Sequence, residues 1–129
     1  KKVSKKKIID MEIKKTGKLF SFCCAAPLIL KGKKKTEIKK FENIGGDIGL
    51  LFQVADDLID HKGSLSNAGK KTGKDKKRGK ATLISLLGQK NTIKYAKKLI
   101  FKINKKLKIY GPKSKNLSIT LDYILNRQK

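Results

Sequence analysis

The chain has 129 residues, the length of one domain with room for a real core, and a net charge of +24 from 34 basic and 10 acidic residues. Such a balance points first to polyanions, but all of the bases except Arg78 and Arg127 are lysines, whereas groove and phosphate readers depend on arginine's bidentate fork. Cys23 and Cys24 are neighbours that cannot easily bridge to each other, and no Cys/His spacing suggests zinc, so a reducing, cytoplasmic setting is expected.

The chain opens on Lys1 and a charged run, which reads as a processed or truncated edge. Helical periodicity then predicts a first helix from Ser4 to about Leu30, with Ile8, Met11, Phe20 and Cys23 facing inward and a kink or end near Pro27. Its apolar stretch, Phe20 to Leu30, is too short to cross a bilayer, so no membrane span is expected. After a connector at Lys31 to Lys35, the pattern Phe41, Ile44, Ile48, Leu51, Phe52, Ala55, Leu58, Ile59 predicts a long, mostly buried helix from Thr36 to Asp60.

From His61 to Lys80 the chain holds Gly63, Gly69, Gly73 and Gly79 among polar residues, and this stretch reads as a functional loop. Helices are expected again at Ala81 to Leu87, at Thr92 to Leu107 with Ile93, Ala96, Ile100, Ile103 and Leu107 inward, and at Leu117 to Leu125, with Gly111-Pro112 parting the last two. The fold class is all-α, in a single unit covering residues 1–129. Lysines such as Lys94, Lys97, Lys98, Lys102 and Lys105 alternate with apolar residues as a solvated helix face does, and coding bias in an AT-rich gene would enrich lysine whatever the function. A solvated surface therefore outweighs a nucleic-acid patch, and no nucleic-acid partner is expected.

Lysine and arginine are missing from Phe41 to Asp60, while five of the ten acids fall there: Glu42, Asp47, Asp56, Asp57 and Asp60. Burial accounts for the missing bases but not for the acids. Asp56 and Asp60 project from one helix face, with Asp57 about 100° away, an arrangement that repels itself unless a cation sits between the carboxylates. Magnesium suits it, because that ion takes a few carboxylate oxygens and completes its octahedron with water and phosphate. On spacing alone, three acids capping an exposed helix end and pairing with nearby lysines explain the pattern better. The lysine-rich segment that comes next, with Lys70, Lys71, Lys74 and Lys80, tips the balance toward a cradle for a diphosphate.

Several ordered motifs then become specific. Lys15-Thr16-Gly17 with Leu19-Phe20, Gly49 to Asp60 (GLLFQVADDLID), Gly69-Lys70, Gly73-Lys74-Asp75 and Gly79-Lys80, with the ending Leu121 to Arg127, resemble the C-terminal half of the trans-isoprenyl diphosphate synthases of the farnesyl and geranylgeranyl type. The resemblance implies a helical bundle that forms the C-terminal half of the isoprenoid synthase fold. It also implies a prenyltransferase that adds isopentenyl diphosphate to an allylic diphosphate and releases pyrophosphate.

By the same resemblance Asp56, Asp57 and Asp60 hold Mg2+. Lys15, Lys70 or Lys71, and Lys80 hold the allylic diphosphate, and Thr16 and Gln53 point oxygen dipoles at the allylic cation. A homodimer is implied as well. The family's first aspartate-rich motif and its isopentenyl diphosphate site have no counterpart in the chain, so the isolated chain is expected to have little or no activity. Lys18, where a small residue is common, and Pro27, in a helix that relatives fill with small residues, are further departures. The competing readings are a nonenzymatic lysine-rich helical module that binds nucleic acid or acidic membrane, and an inactive synthase-like paralogue.

Overall fold

A computed structural model of the chain describes residues 3–68 and 81–127. Within these residues every regular element is helical: α1 (Lys5–Glu12), a π-helical turn (Ile13–Gly17), α2 (Lys18–Leu30), α3 (Lys35–Ala68), α4 (Leu83–Leu87), α5 (Gln89–Leu107), a 3-10 segment (Lys108–Ser114) and α6 (Lys115–Asn126).

The first predicted helix is one rod with a defect in it. Ser4 caps it, its hydroxyl accepting the Lys7 N–H at 3.3 Å. The π-turn is entered and left in ordinary helical backbone conformation, so one turn holds an extra residue and the buried faces of α1 and α2 stay in line across it. The inward positions run Ile8, Glu12 and then, five residues on, Gly17, continuing through Phe20, Cys24 and Ala25. Met11, in the same regular turns as buried Ile8 and Glu12 but off their line, is 45% exposed, and Cys23 is exposed, contrary to the inward expectation for both. Pro27 does not end α2. The end comes at Gly32, whose φ of +60° lets its own N–H reach Ile29 O (3.0 Å) and the Lys33 N–H reach Leu28 O (2.9 Å), a Schellman cap.

At 34 residues α3 is about 51 Å long, and it packs on every other α-helix described. Ile44, Ile48, Leu51, Ala55 and Leu58 are buried as the periodicity predicts, Leu50 and Val54 join them, and the expected Phe41, Phe52 and Ile59 are only partly buried. It runs beyond Asp60 to Ala68, so residues 61–68 are helix rather than loop, and the aspartates sit in the helix interior rather than at its end. A lone Gly63 costs about 1 kcal/mol of helix propensity, too little to stop a helix with no proline in the way. The remainder of the expected loop lies outside the described residues.

Two glycines let α2 and α3 touch backbone to backbone. A Cβ on Gly45 would lie 2.4 Å from Phe20 O, and one on Gly49 would lie 2.6 Å from the Gly17 Cα. On the other side, α5 contributes Ala96, Leu99, Ile100, Ile103 and Leu107 to the core, and α6 contributes Leu121 and Ile124. Ile93 is only partly buried; the neighbouring Thr92 is the fully buried residue, its hydroxyl donating to Gly88 O at 2.8 Å. Asp47 is clasped by Lys102 and Lys106, one turn apart on α5, at 3.0 and 2.8 Å, which fixes the α3–α5 register. A capping box between Thr82 and Ser85 starts α4 two residues later than the pattern suggested.

Candidate functional site

Where Gly17 meets Gly49, the π-turn lies against the turn of α3 that leads to the aspartates. Close approach of the two backbones brings Thr16 within reach of Gln53, 37 residues on. The Thr16 hydroxyl donates to Gln53 Oε1 at 3.1 Å, and Gln53 Nε2 donates to Asp57 Oδ1 at 3.5 Å. Gln53 is buried, so both ends of its amide have protein partners in place of water. One relay thus joins the lysine-threonine-glycine turn to the aspartate helix.

Four carboxylates share this neighbourhood. Burial pushes the Asp57 carboxyl above the usual range; the Gln53 bond and the charge of Lys15 pull it down, and Asp60 and Asp56 push it up. Glu12, the residue just before the π-turn, is 4% exposed, and its Oε2 has no hydrogen-bond partner. Burial raises its pKa, as does Asp57, against the lowering influence of Lys15. Lys15 is therefore within electrostatic reach of both Asp57 and Glu12.

Asp56 is ion-paired with Arg127, the residue directly after α6. The guanidinium of Arg127 also lies over the Phe52 ring, 4.0 Å from its centroid, and Phe52 in turn meets Phe20 with centroids 5.4 Å apart.

The aspartates share a helix face but do not close into a cage: among the described residues, no group of three or more His, Cys, Asp or Glu side chains converges as a metal cluster. The donor chemistry nevertheless fits a hard divalent ion. Magnesium characteristically takes one or two carboxylates and leaves its other positions to water and phosphate. The charges of Asp60 and Asp56 push the Asp57 carboxyl toward its protonated form, a repulsion that an intervening cation would relieve. Lys70, Lys71 and Lys80 lie outside the described residues.

A groove of about 660 Å³ between α2, α3 and α5, lined by Lys18, Phe22, Asp47 and Lys106 among others, contains none of these residues. Two members of the site were missed in the sequence. Glu12 had a faint signal, an acid amid lysines; Arg127 had a clearer one, an arginine in a chain where only Arg78 shares that choice over lysine.

Fold and site together define an all-helical protein whose one long helix presents a carboxylate face to a lysine-bearing turn. The chain belongs to the polyprenyl synthetase family, whose model matches residues 1–116. It is 32% identical over 119 residues to the farnesyl diphosphate synthase of Micrococcus luteus, covering 92% of this chain and 41% of that protein. It is also 32% identical over 117 residues to the geranylgeranyl diphosphate synthase of Cyanophora paradoxa, with 91% and 39% covered. With the farnesyl diphosphate synthase of Bacillus subtilis the identity is 38% over 94 residues, with 67% and 32% covered. The chain spans about two fifths of the length of the first two of these curated relatives.

Proposed function

We propose that the chain is the part of a prenyl diphosphate synthase that holds the allylic diphosphate, in an enzyme that joins isopentenyl diphosphate to that substrate and releases pyrophosphate. The observation that carries this reading is the Thr16–Gln53–Asp57 relay, which sets the lysine-threonine turn beside the aspartates. Family membership and the names of the relatives supply the reaction class.

Asp56, Asp57 and Asp60 are the proposed Mg2+ ligands; the bound ion supplies positive charge to the diphosphate oxygens. Lys15 adds its ammonium to the same diphosphate, and Lys70, Lys71 and Lys80 are proposed to do likewise. When the allylic C–O bond breaks, the electron pair leaves with pyrophosphate, and cations waiting where that charge develops lower the barrier. The isopentenyl alkene then forms the new C–C bond and a proton is lost. The Thr16 hydroxyl has committed its proton to Gln53, so only its lone pairs remain to face a developing carbocation. Gln53 spends its oxygen on Thr16 and one amide hydrogen on Asp57, which makes it the positioning residue of the set.

Among the described residues no helix is long and apolar enough to cross a membrane, and a homodimer is proposed by analogy with the family. The 129-residue chain alone is expected to turn over geranyl and isopentenyl diphosphates little or not at all; product formed at a normal enzyme rate would contradict this. In a protein that includes the rest of the relatives' length, Mg2+ with a bisphosphonate at a hundred times its Kd should stabilise the fold by about 2.7 kcal/mol. Asp57→Asn should abolish that gain, and an undiminished gain in the variant would remove the aspartates from the site.

A further inference from the structure

We propose that Arg127 is a built-in counter-ion that a divalent cation must displace from Asp56, so that metal binding and release of the C-terminal end of α6 are one coupled event. The proposal rests on the reading of Asp56 as a metal ligand and adds what that ligand does before the metal arrives.

The pairing is not a chance surface contact. Its partners are 71 residues apart in sequence, and the Arg127 side chain is only 17% exposed, paired with an Asp56 side chain that is 42% exposed and open to an incoming ion. The guanidinium is held from two directions, by the carboxylate of Asp56 and by the face of Phe52 at 4.0 Å, and the residue's own backbone is fixed as well, its N–H bonding Tyr123 O at 2.8 Å. Buried Leu121 and Ile124 fix the preceding turns in the core shared with α3. A planar fork that stacks and pairs at once is work a lysine ammonium does poorly. In this chain, where lysine fills all but two basic positions, the arginine stands where that difference matters.

The electrostatics give the sense of the coupling. Asp56, Asp57, Asp60 and Glu12 put four carboxylates in one neighbourhood, and Arg127 neutralises one of them. A divalent ion and a guanidinium compete for the charge of one carboxylate and repel each other, so each weakens the other's hold on Asp56. Reciprocity then requires that whatever Arg127 costs the metal, the metal costs the Arg127 contact. Before metal binds, the end of α6 is tied to α3 through Asp56 and Phe52; with metal bound, only the Phe52 face remains.

The test is Mn2+ binding to the chain, measured by the loss of the free-ion signal in electron paramagnetic resonance at low ionic strength, with Mn2+ standing in for Mg2+ at an oxygen-ligand site. Arg127→Gln should bind Mn2+ about fivefold or more tightly than wild type, and Arg127→Lys, which keeps the charge but not the stacked fork, should fall between them. On an Asp56→Asn background the Arg127→Gln effect should vanish. In wild type, amide exchange at residues 125–127, beyond the core-anchored Leu121 and Ile124, should quicken when Mn2+ is added. An Arg127→Gln chain that binds Mn2+ equally or more weakly, or gains as much without Asp56, overturns the proposal; if that variant does not fold, the Arg127→Lys affinity decides. Mn2+ binding that is indifferent to both Asp56→Asn and Asp57→Asn would instead remove the metal-site reading on which the proposal rests.

Discussion

Replacing Gly49 with alanine isolates the contact that assembles the site. The added methyl would stand 2.6 Å from the Gly17 Cα, whereas carbon atoms rest about 3.5 Å or more apart. Both partners are helix backbone, so no side chain can swing aside, and α2 and α3 must part by about 1 Å. Thr16 Oγ1 and Gln53 Oε1, now 3.1 Å apart, would then fall outside hydrogen-bonding range, leaving a buried amide oxygen unpaired. Overpacking costs about 1–3 kcal/mol and the lost bond about 1 kcal/mol, against about 1 kcal/mol gained from alanine's helix propensity. The net loss is about 2 kcal/mol, which for a chain of this size lowers Tm by about 8 °C. Urea or thermal unfolding monitored by circular dichroism measures it. Gly63→Ala is the internal control: it lies on the same helix, a Cβ there meets nothing within 4 Å, and it should gain up to about 1 kcal/mol. If Gly49→Ala is as stable as wild type, or the two variants shift alike, propensity governs both glycines and the close approach means nothing.

Gln53→Leu removes both ends of the relay and leaves Thr16 and Asp57 without their shared partner; a loss of about 1–3 kcal/mol in unfolding free energy is expected, with Thr16→Val on top adding less than its separate effect, as a double-mutant cycle would record. The raised carboxyls of Asp57 and Glu12 bind their protons more tightly folded than unfolded. Their contribution to stability is therefore full below the ordinary carboxyl values, 3.8 for Asp and 4.5 for Glu, and is lost as pH rises through the folded ones. Urea midpoints measured upward from pH 4 should carry this downward component, and Asp57→Asn or Glu12→Gln should remove part of it and stabilise the chain at neutral pH; variants that leave the pH profile unchanged would show that neither carboxyl is perturbed.

Much of the fold was written in patterns that depend on local spacing. The lysine-free run marked α3, and its apolar positions gave the buried side because 3.6-residue periodicity holds along it. That rule could not foresee the π-turn, whose extra residue shifts the inward line of α2 by one position and leaves Cys23 off it, or that helix would continue past Asp60 through Gly63. In the site, Asp56, Asp57 and Asp60 stood out as acids in a basic chain, and Lys15, Thr16 and Gln53 only through the ordered family motifs. What brings Thr16 to Gln53 is the bare backbone contact of Gly17 with Gly49, a tertiary fact that no spacing along the chain encodes. Glu12 and Arg127 escaped for the same reason: burial of the one and the pairing of the other depend on elements far away in sequence.

The π-turn also decides where this rod can change length. Deleting a single residue between Ile13 and Gly17 would let the segment relax to ordinary α-helix, with the five-residue step from Glu12 to Gly17 becoming a four-residue one, so Ile8 would stay in the core and Glu12 in the interior. The same deletion within α1 or α2 would swing everything on its N-terminal side by about 100° about the axis. Tolerance to substitution along this rod therefore says little about tolerance to indels, and an alignment that sets its gap away from the π-turn misassigns every position between the two.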